Sequence, residues 1–198
     1  MKEIELVETS ARNRVDMEQV YRLTYKTYLQ RGLIKPFPEK RLANNQALDA
    51  EPSTVVYLAK RAERIVGSLS LSFSPHIKDV YNHAYFAEDL AKETSSGMMF
   101  SGWRLAVDTE DEASKVIVLK LIAEAVKLGV SRDCKHGFLC FLEEDLSFYQ
   151  KVLPGYLVGK RVKNSTEVQA TLCMWRCNIT MAQYKRLQTL IKRLSKYR

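Results

Sequence analysis

Apolar and polar positions alternate along Ile4-Glu5-Leu6-Val7-Glu8, the period-two pattern of a short, half-buried strand. From Asn13 to Arg31 the period lengthens. Val20, Tyr21, Tyr25 (or Thr24), Tyr28 and Leu29 recur at steps of three and four, which predicts an amphipathic helix stopped at Gly32. Leu33 to Pro52 carries three prolines and Asn44-Asn45 with no period, so it reads as a long connection with room for one helical turn. Connections of this length are uncommon in compact domains and often serve as lids or binding loops. Thr54 to Ser74 reads as a β-hairpin with its turn at Arg61-Ala62-Glu63-Arg64. In its return strand Leu69, Leu71 and Phe73 point one way, and Ser68, Ser70 and Ser72 the other.

A second connection, Pro75 to Gly97, holds a short helix over Tyr85 to Lys92, and a strand interrupted by Gly102 follows over Met98 to Val107. Asp108 to Glu112 opens a helix with acids at its positive end, running to Leu128 and stopped by Gly129. Its buried stripe is Val118, Leu121, Ile122, Ala125 and Val126. Phe138 to Leu142 reads as a central strand and Leu146 to Val152 as a short helix halted by Pro154-Gly155. Strands Tyr156 to Val162 and Val168 to Cys177 precede a helix that repeats Tyr184, Leu187, Ile191 and Leu194. No repeat or linker divides the chain. The expectation is one α/β (strictly α+β) domain over 1–178, with the C-terminal helix, 179–198, packed on it.

Composition narrows the class. With 46% hydrophobic and 27% charged residues the chain is globular rather than low-complexity. No apolar run approaches the roughly 20 residues of a membrane span. The start, Met1-Lys2-Glu3-Ile4-Glu5, is too acidic for a signal peptide. Four sparse cysteines, Cys134, Cys140, Cys173 and Cys177, read as reduced thiols, and the expected location is cytoplasmic, with no metal expected. The net charge of +8 is uneven: Arg176 to Arg198 has seven basic residues and no acid, so the body of the molecule is nearly neutral. A basic tail on a neutral body suggests a local docking surface.

Several stretches carry a family resemblance. Arg104-Leu105-Ala106-Val107-Asp108, ending a strand before a long helix, resembles a motif of long-chain N-acyl amino acid synthases and the related acyl-homoserine lactone synthases. Leu23 to Gly32 (LTYKTYLQRG) is similar to their first helix. Asp49, followed by Val56-Tyr57-Leu58-Ala59 and Ile65-Val66-Gly67, resembles their acid-then-hairpin unit. Phe148-Tyr149-Gln150-Lys151 leading to Gly155-Tyr156 resembles an element of the wider GNAT superfamily. The resemblance covers roughly residues 4 to 160. It implies a GNAT-like domain, a mixed central sheet flanked by helices with a splayed strand pair. It also implies transfer of a long acyl chain from a thioester to an amine such as an amino acid.

Three departures qualify it. Most GNAT enzymes cradle the coenzyme A pyrophosphate on a glycine-rich loop. Here the loop is Asp108-Thr109-Glu110-Asp111-Glu112-Ala113, with four acids and no glycine. Repulsion between like charges counts against coenzyme A, and the resemblance to synthases that also lack the glycine loop implies acyl carrier protein as bearer of the acyl-phosphopantetheine. Ser101 stands where those families carry a Glu that can deprotonate the amine, and serine is no base without activation. Thr24 and Ser70 replace basic residues, while Lys26 keeps its charge.

The candidate chemistry follows from the resemblance. Tyr149 occupies the position of the acid that protonates the leaving thiolate, or else packs its ring in the core. Ser101 marks the lost base, and Glu143 or Glu144 could replace it or simply start a helix. Gly102 fits a β-bulge that turns Ser101 and Arg104 to one side, or a plain kink. Arg104 could grip an acceptor carboxylate in a two-pronged bond, or form a structural ion pair. Trp103, Lys26 and Tyr28 complete the substrate-binding candidates. His136, His76 and His83 read first as solvated residues. On the C-terminal helix Lys185, Arg186, Lys192 and Arg193 could dock acyl carrier protein or an anionic membrane surface, or be solvated charges; nucleic acid comes third, since aromatics there are few. The alternative to an enzyme is a non-catalytic module that binds acyl chains or their carrier.

Overall fold

The computed structural model describes residues 3–94, 97–164 and 169–196. Val168, Tyr197 and Arg198, which the sequence reading assigned to strand and helix, lie outside them. The elements are β1 (Glu5–Thr9), α1 (Arg14–Gln30), α2 (Gln46–Ala50), β2 (Val55–Arg61), β3 (Arg64–Ser74), α3 (Ala87–Leu90), β4 (Met99–Val107) and α4 (Ser114–Ser131). There follow β5 (His136–Leu142), α5 (Leu146–Val152), β6 (Gly155–Asn164), β7 (Gln169–Asn178) and α6 (Met181–Lys196). Among the described residues the strands form one seven-stranded sheet in the order β1-β2-β3-β4-β5-β7-β6. Only β4 and β5 run parallel. No described helix is long and apolar enough to cross a membrane.

Strand alternation sorts the core into two layers. On β2, Val56 and Leu58 face α1 and pack with Met17, Val20 and Leu23. Val55, Tyr57 and Ala59 face the other way, into the main core under α4. Each of these large aliphatic side chains contributes on the order of 1.5–3 kcal/mol when fully buried. Helix α1 starts where Asn13 accepts the Asp16 N–H, an N-cap that satisfies one of the free donors of the first turn. Leu187 and Ile191 of α6 enter the main core, so the basic helix is an integral layer over α4.

The serine stripe of β3 is buried; it faces α1 and the loops, where Ser70 and Ser72 serve as hydrogen-bond partners. The structure corrects two local expectations. Helix α4 begins at Ser114 and runs through Gly129; the acids before it form a loop, with Ala113 N donating to Asp111 Oδ1. Gly129 is a packing position, and the left-handed residue at the end of α4 is Asp133 (φ 55°). Finally, the helix expected over Tyr85 to Lys92 shrinks to the four residues of α3.

Candidate active site

Strand β4 pairs with β5 only from Met99↔His136 to Gly102↔Leu139. Gly102 itself is regular in register, opposite Leu71 as well as Leu139. A Cβ there would lie 2.4 Å from Leu139 Cδ2, so the glycine permits the last close contact before the strands part. The bulge expected at Gly102 sits two residues on. Ser68 pairs with Ala106 and Ser70 with Trp103, so Arg104 and Leu105 together oppose one residue, and Arg104 takes φ 52°.

A cavity of about 890 Å³ occupies the gap between the parted strands and extends to both faces of the sheet. That size suits a single elongated ligand. On the α4 face its lining is mainly apolar, including Phe100, Ile122, Ala125, Val126, Phe141 and Leu153, with Ser114 and Lys115 contributed by the first turn of α4. On the α1 face it is aromatic and polar, formed by Tyr28, Asn44, Tyr81, Asn82, Trp103 and Arg104. Leu33, Ile34, Leu42 and Asn44 bring the first long connection onto the site, in keeping with a binding loop.

Arg104 is 2% exposed, and every donor it has is taken. Nη1 and Nη2 each donate to an Asp49 oxygen at 2.7 Å, Nη1 also to Ala43 O, and Nε and Nη2 to Ser70 Oγ. Its charge lies over the Trp103 ring at 4.5 Å, and Tyr21 Oη donates to the same carboxylate. The carboxylate it grips is the protein's own, so the acceptor-binding role expected for Arg104 gives way to the structural ion pair.

The remaining candidates fall into two groups. Tyr28 and Tyr149 both line the cavity; burial pushes both phenols above their ordinary value. Tyr149 also stacks on Phe141 at 3.9 Å. Neither hydroxyl has a hydrogen-bond partner among the described residues, so each is available to a ligand. Gly102 and Trp103 line the cavity too, with Trp103 Nε1 donating to Ser72 and its ring stacked on Tyr81.

Ser101 lies outside the lining, its Oγ accepting the Tyr81 N–H at 2.9 Å. Glu143 turns away to Lys160; of the three acids after β5, Glu144 and Asp145 reach the cavity instead. Lys26 also stands apart, paired with Asp108 and Glu110. His76, His83 and His136 do not line the cavity, and burial, helped by Arg176, lowers the His136 pKa. Lys185, Lys192 and Arg193 are exposed on α6, while Arg186 donates to Lys151 O. Among the described residues no cluster of His, Cys, Asp and Glu could hold a metal ion.

Sequence reasoning missed Arg31. It lines the cavity at the end of α1, and its Nη2 donates to Glu144 and, at 2.8 Å, to Asp145. Burial opposes its charge, yet those two carboxylates hold its pKa above the ordinary value. Nη1 and Nε have no partner among the described residues. The local signal was the Arg-Gly at the helix end, legible as a C-terminus but not as a contact with acids more than a hundred residues away.

The acidic loop also reads differently in three dimensions. Asp108 meets Lys26 and Arg64, Glu110 meets Lys26, and Asp111 meets Arg61. Three of its four acids are therefore compensated, which removes the electrostatic argument against a coenzyme A donor.

A family profile described as N-acyl amino acid synthase FeeM matches residues 19–178, a span that takes in the parted strands and the cavity. The chain belongs to this family. No curated protein sequence matches it significantly. Among solved structures, FeeM, an N-acyl amino acid synthase from uncultured soil microbes, is 15% identical, with a TM-score of 0.68 over 97% of this chain and 98% of that one. BjaI, a coenzyme A-dependent acyl-homoserine lactone synthase, is 17% identical, with a TM-score of 0.70 over 96% and 90% of the two chains. MesI, also a coenzyme A-dependent acyl-homoserine lactone synthase, is 11% identical, with a TM-score of 0.66 over 95% of each. At these identities the likeness establishes the fold, the GNAT-like mixed sheet with a splayed strand pair that the sequence implied.

Proposed function

We propose that the protein is an N-acyltransferase that moves a fatty-acyl chain from a thioester to an amine such as an amino acid. The observation that carries this reading is the cavity at the parting of β4 and β5, mainly apolar on one face of the sheet and richer in polar and aromatic groups on the other. A fatty-acyl thioester has the same division. Its chain suits the α4 face and its carbonyl the gap, where the β4 backbone beyond Gly102 no longer pairs with β5 and can offer an N–H to a developing oxyanion.

In this reading the amine nitrogen attacks the thioester carbon, the carbon–sulfur bond breaks, and the products are an amide and a free thiol. Tyr149, kept protonated by burial, supplies the proton to the leaving sulfur. The amine must also lose a proton, and the carboxylates on the lining, Glu144 and Asp145, accept it directly or through water. Arg31, with donors to spare, takes over the carboxylate-anchoring role first read for Arg104.

The donor is an acyl-phosphopantetheine thioester, on acyl carrier protein or coenzyme A. The exposed α6 cations Lys185, Lys192 and Arg193 support docking of an acidic carrier. The compensated acidic loop, and the coenzyme A dependence of BjaI and MesI, support coenzyme A. Incubating the protein with each donor and an amino-acid pool, then extracting acyl amides for mass spectrometry, tests the reading. Product with either donor supports it; absence of product with both, over a range of chain lengths, refutes it.

One observation favours a second reading, a binding module without catalysis. Ser101 replaces the expected carboxylate and its hydroxyl already holds the Tyr81 backbone. Saturable binding of an acyl thioester without turnover would establish that alternative.

A further inference from the structure

We infer that Phe100 sets the length of chain the apolar arm accepts, an inference that rests on the acyltransferase reading above. Phe100 lines the cavity yet is itself only 2% exposed, so most of its ring is packed into the core and only its margin meets the cavity. Phe100, Gly137 and Cys177 are neighbours across β4, β5 and β7, and Gly129 of α4 lies over them. Two of these four positions are glycines, and the Phe100 ring fills the space both leave. A Cβ on Gly137 would meet that ring at 2.5 Å, and one on Gly129 would meet it at 2.9 Å, with Ile179 at 3.0 Å.

The floor of the arm is therefore one movable-by-substitution side chain seated in a notch cut by two missing side chains. Behind the ring lie Gly129, Gly137 and Ile179, with no charged group among them. Shortening residue 100 lengthens the arm by an apolar extension, whereas bulk added at Ala125, which lines the same arm, shortens it. Extra or missing methylenes in a hydrophobic pocket change discrimination by roughly 10- to 200-fold each, so these changes reach a measurable range.

The experiment compares kcat/KM for saturated acyl thioesters of increasing length, on coenzyme A and on acyl carrier protein, in wild type, Phe100→Leu, Phe100→Ala and Ala125→Leu. The expected result is a shift of about tenfold or more toward longer chains in the Phe100 variants, and toward shorter chains in Ala125→Leu. Phe100→Leu keeps most of the packing and decides the question if Phe100→Ala does not fold. Folded variants with the wild-type length preference would overturn the inference. A parallel series measures thermal stabilisation by free fatty acids, which needs no turnover. If wild type makes no amide, the acyltransferase reading fails by itself. A shifted fatty-acid preference in Phe100→Leu would then still uphold the gauge, and an unshifted one would sink it.

Discussion

The guanidinium of Arg104 meets both carboxylate oxygens of Asp49 at 2.7 Å across 55 residues of chain. The pair is almost fully buried, and it ties the first long connection to the bulge of β4. Removing one member leaves an uncompensated buried charge, which typically costs about 3–5 kcal/mol. Arg104→Ala should lose about that much in urea-induced unfolding, and Asp49→Ala a similar amount. A loss below about 1 kcal/mol in both would show that the buried pair does not hold the loop.

Tyr149→Phe removes a hydroxyl that has no hydrogen-bond partner among the described residues, so its unfolding free energy should change by less than about 1 kcal/mol. Acyl transfer should nevertheless fall by about 10²- to 10⁴-fold, the usual contribution of a positioned proton donor. Because burial holds this phenol above its ordinary value of 10.0, the protonated form persists as pH rises through that value. The kcat profile should therefore show no alkaline loss from this group up to about pH 10. Wild-type turnover in Tyr149→Phe would remove it from the mechanism.

Arg31→Met should raise KM for a carboxylate-bearing acceptor by about tenfold or more while leaving KM for the acyl donor within about twofold. An acceptor amine without a carboxylate provides the control, because its KM should be insensitive to the change. Equal effects on both acceptors would indicate that Arg31 only bridges Glu144 and Asp145.

Charge reversal of Lys192 and Arg193 to Glu separates the two donors. Both side chains are exposed, so stability should hold within about 0.5 kcal/mol. Binding of acyl carrier protein should weaken and lose part of its salt dependence, with acyl-coenzyme A kinetics unchanged. Unchanged carrier affinity would move the docking surface away from α6.

The sequence and the structure agree where the signal is local. The first helix, the hairpin and the short central strand are each specified by a few adjacent residues, and they form as read. Glycine was the least legible residue, because a turn and a close contact demand the same side chain. Gly129 reads as a helix stop by propensity but is buried against Phe100 and Ile179. Gly102 reads as a bulge, while the bulge itself falls on Arg104, a residue whose left-handed φ is sustained by five hydrogen bonds.

Charge was the other blind spot. The acids of 108–112 look repulsive in sequence because their partners, Lys26, Arg61 and Arg64, lie on other elements. For the same reason Glu143 and Glu144, adjacent in sequence, part company: one turns to β6 and the other to the cavity.

Strand β4 bears both walls of the polar arm at nearly adjacent positions. Ser101 fastens the connection through Tyr81, and Arg104 fastens the one through Asp49, with Trp103 between them stacked on Tyr81. The opposite side of the same strand, at Phe100, is the floor of the apolar arm. A chain wedged against that floor therefore presses on the beam from which both walls hang. The consequence is kinetic: substrates should add in a compulsory order, the acyl donor first, with the amine admitted to walls its predecessor has already set.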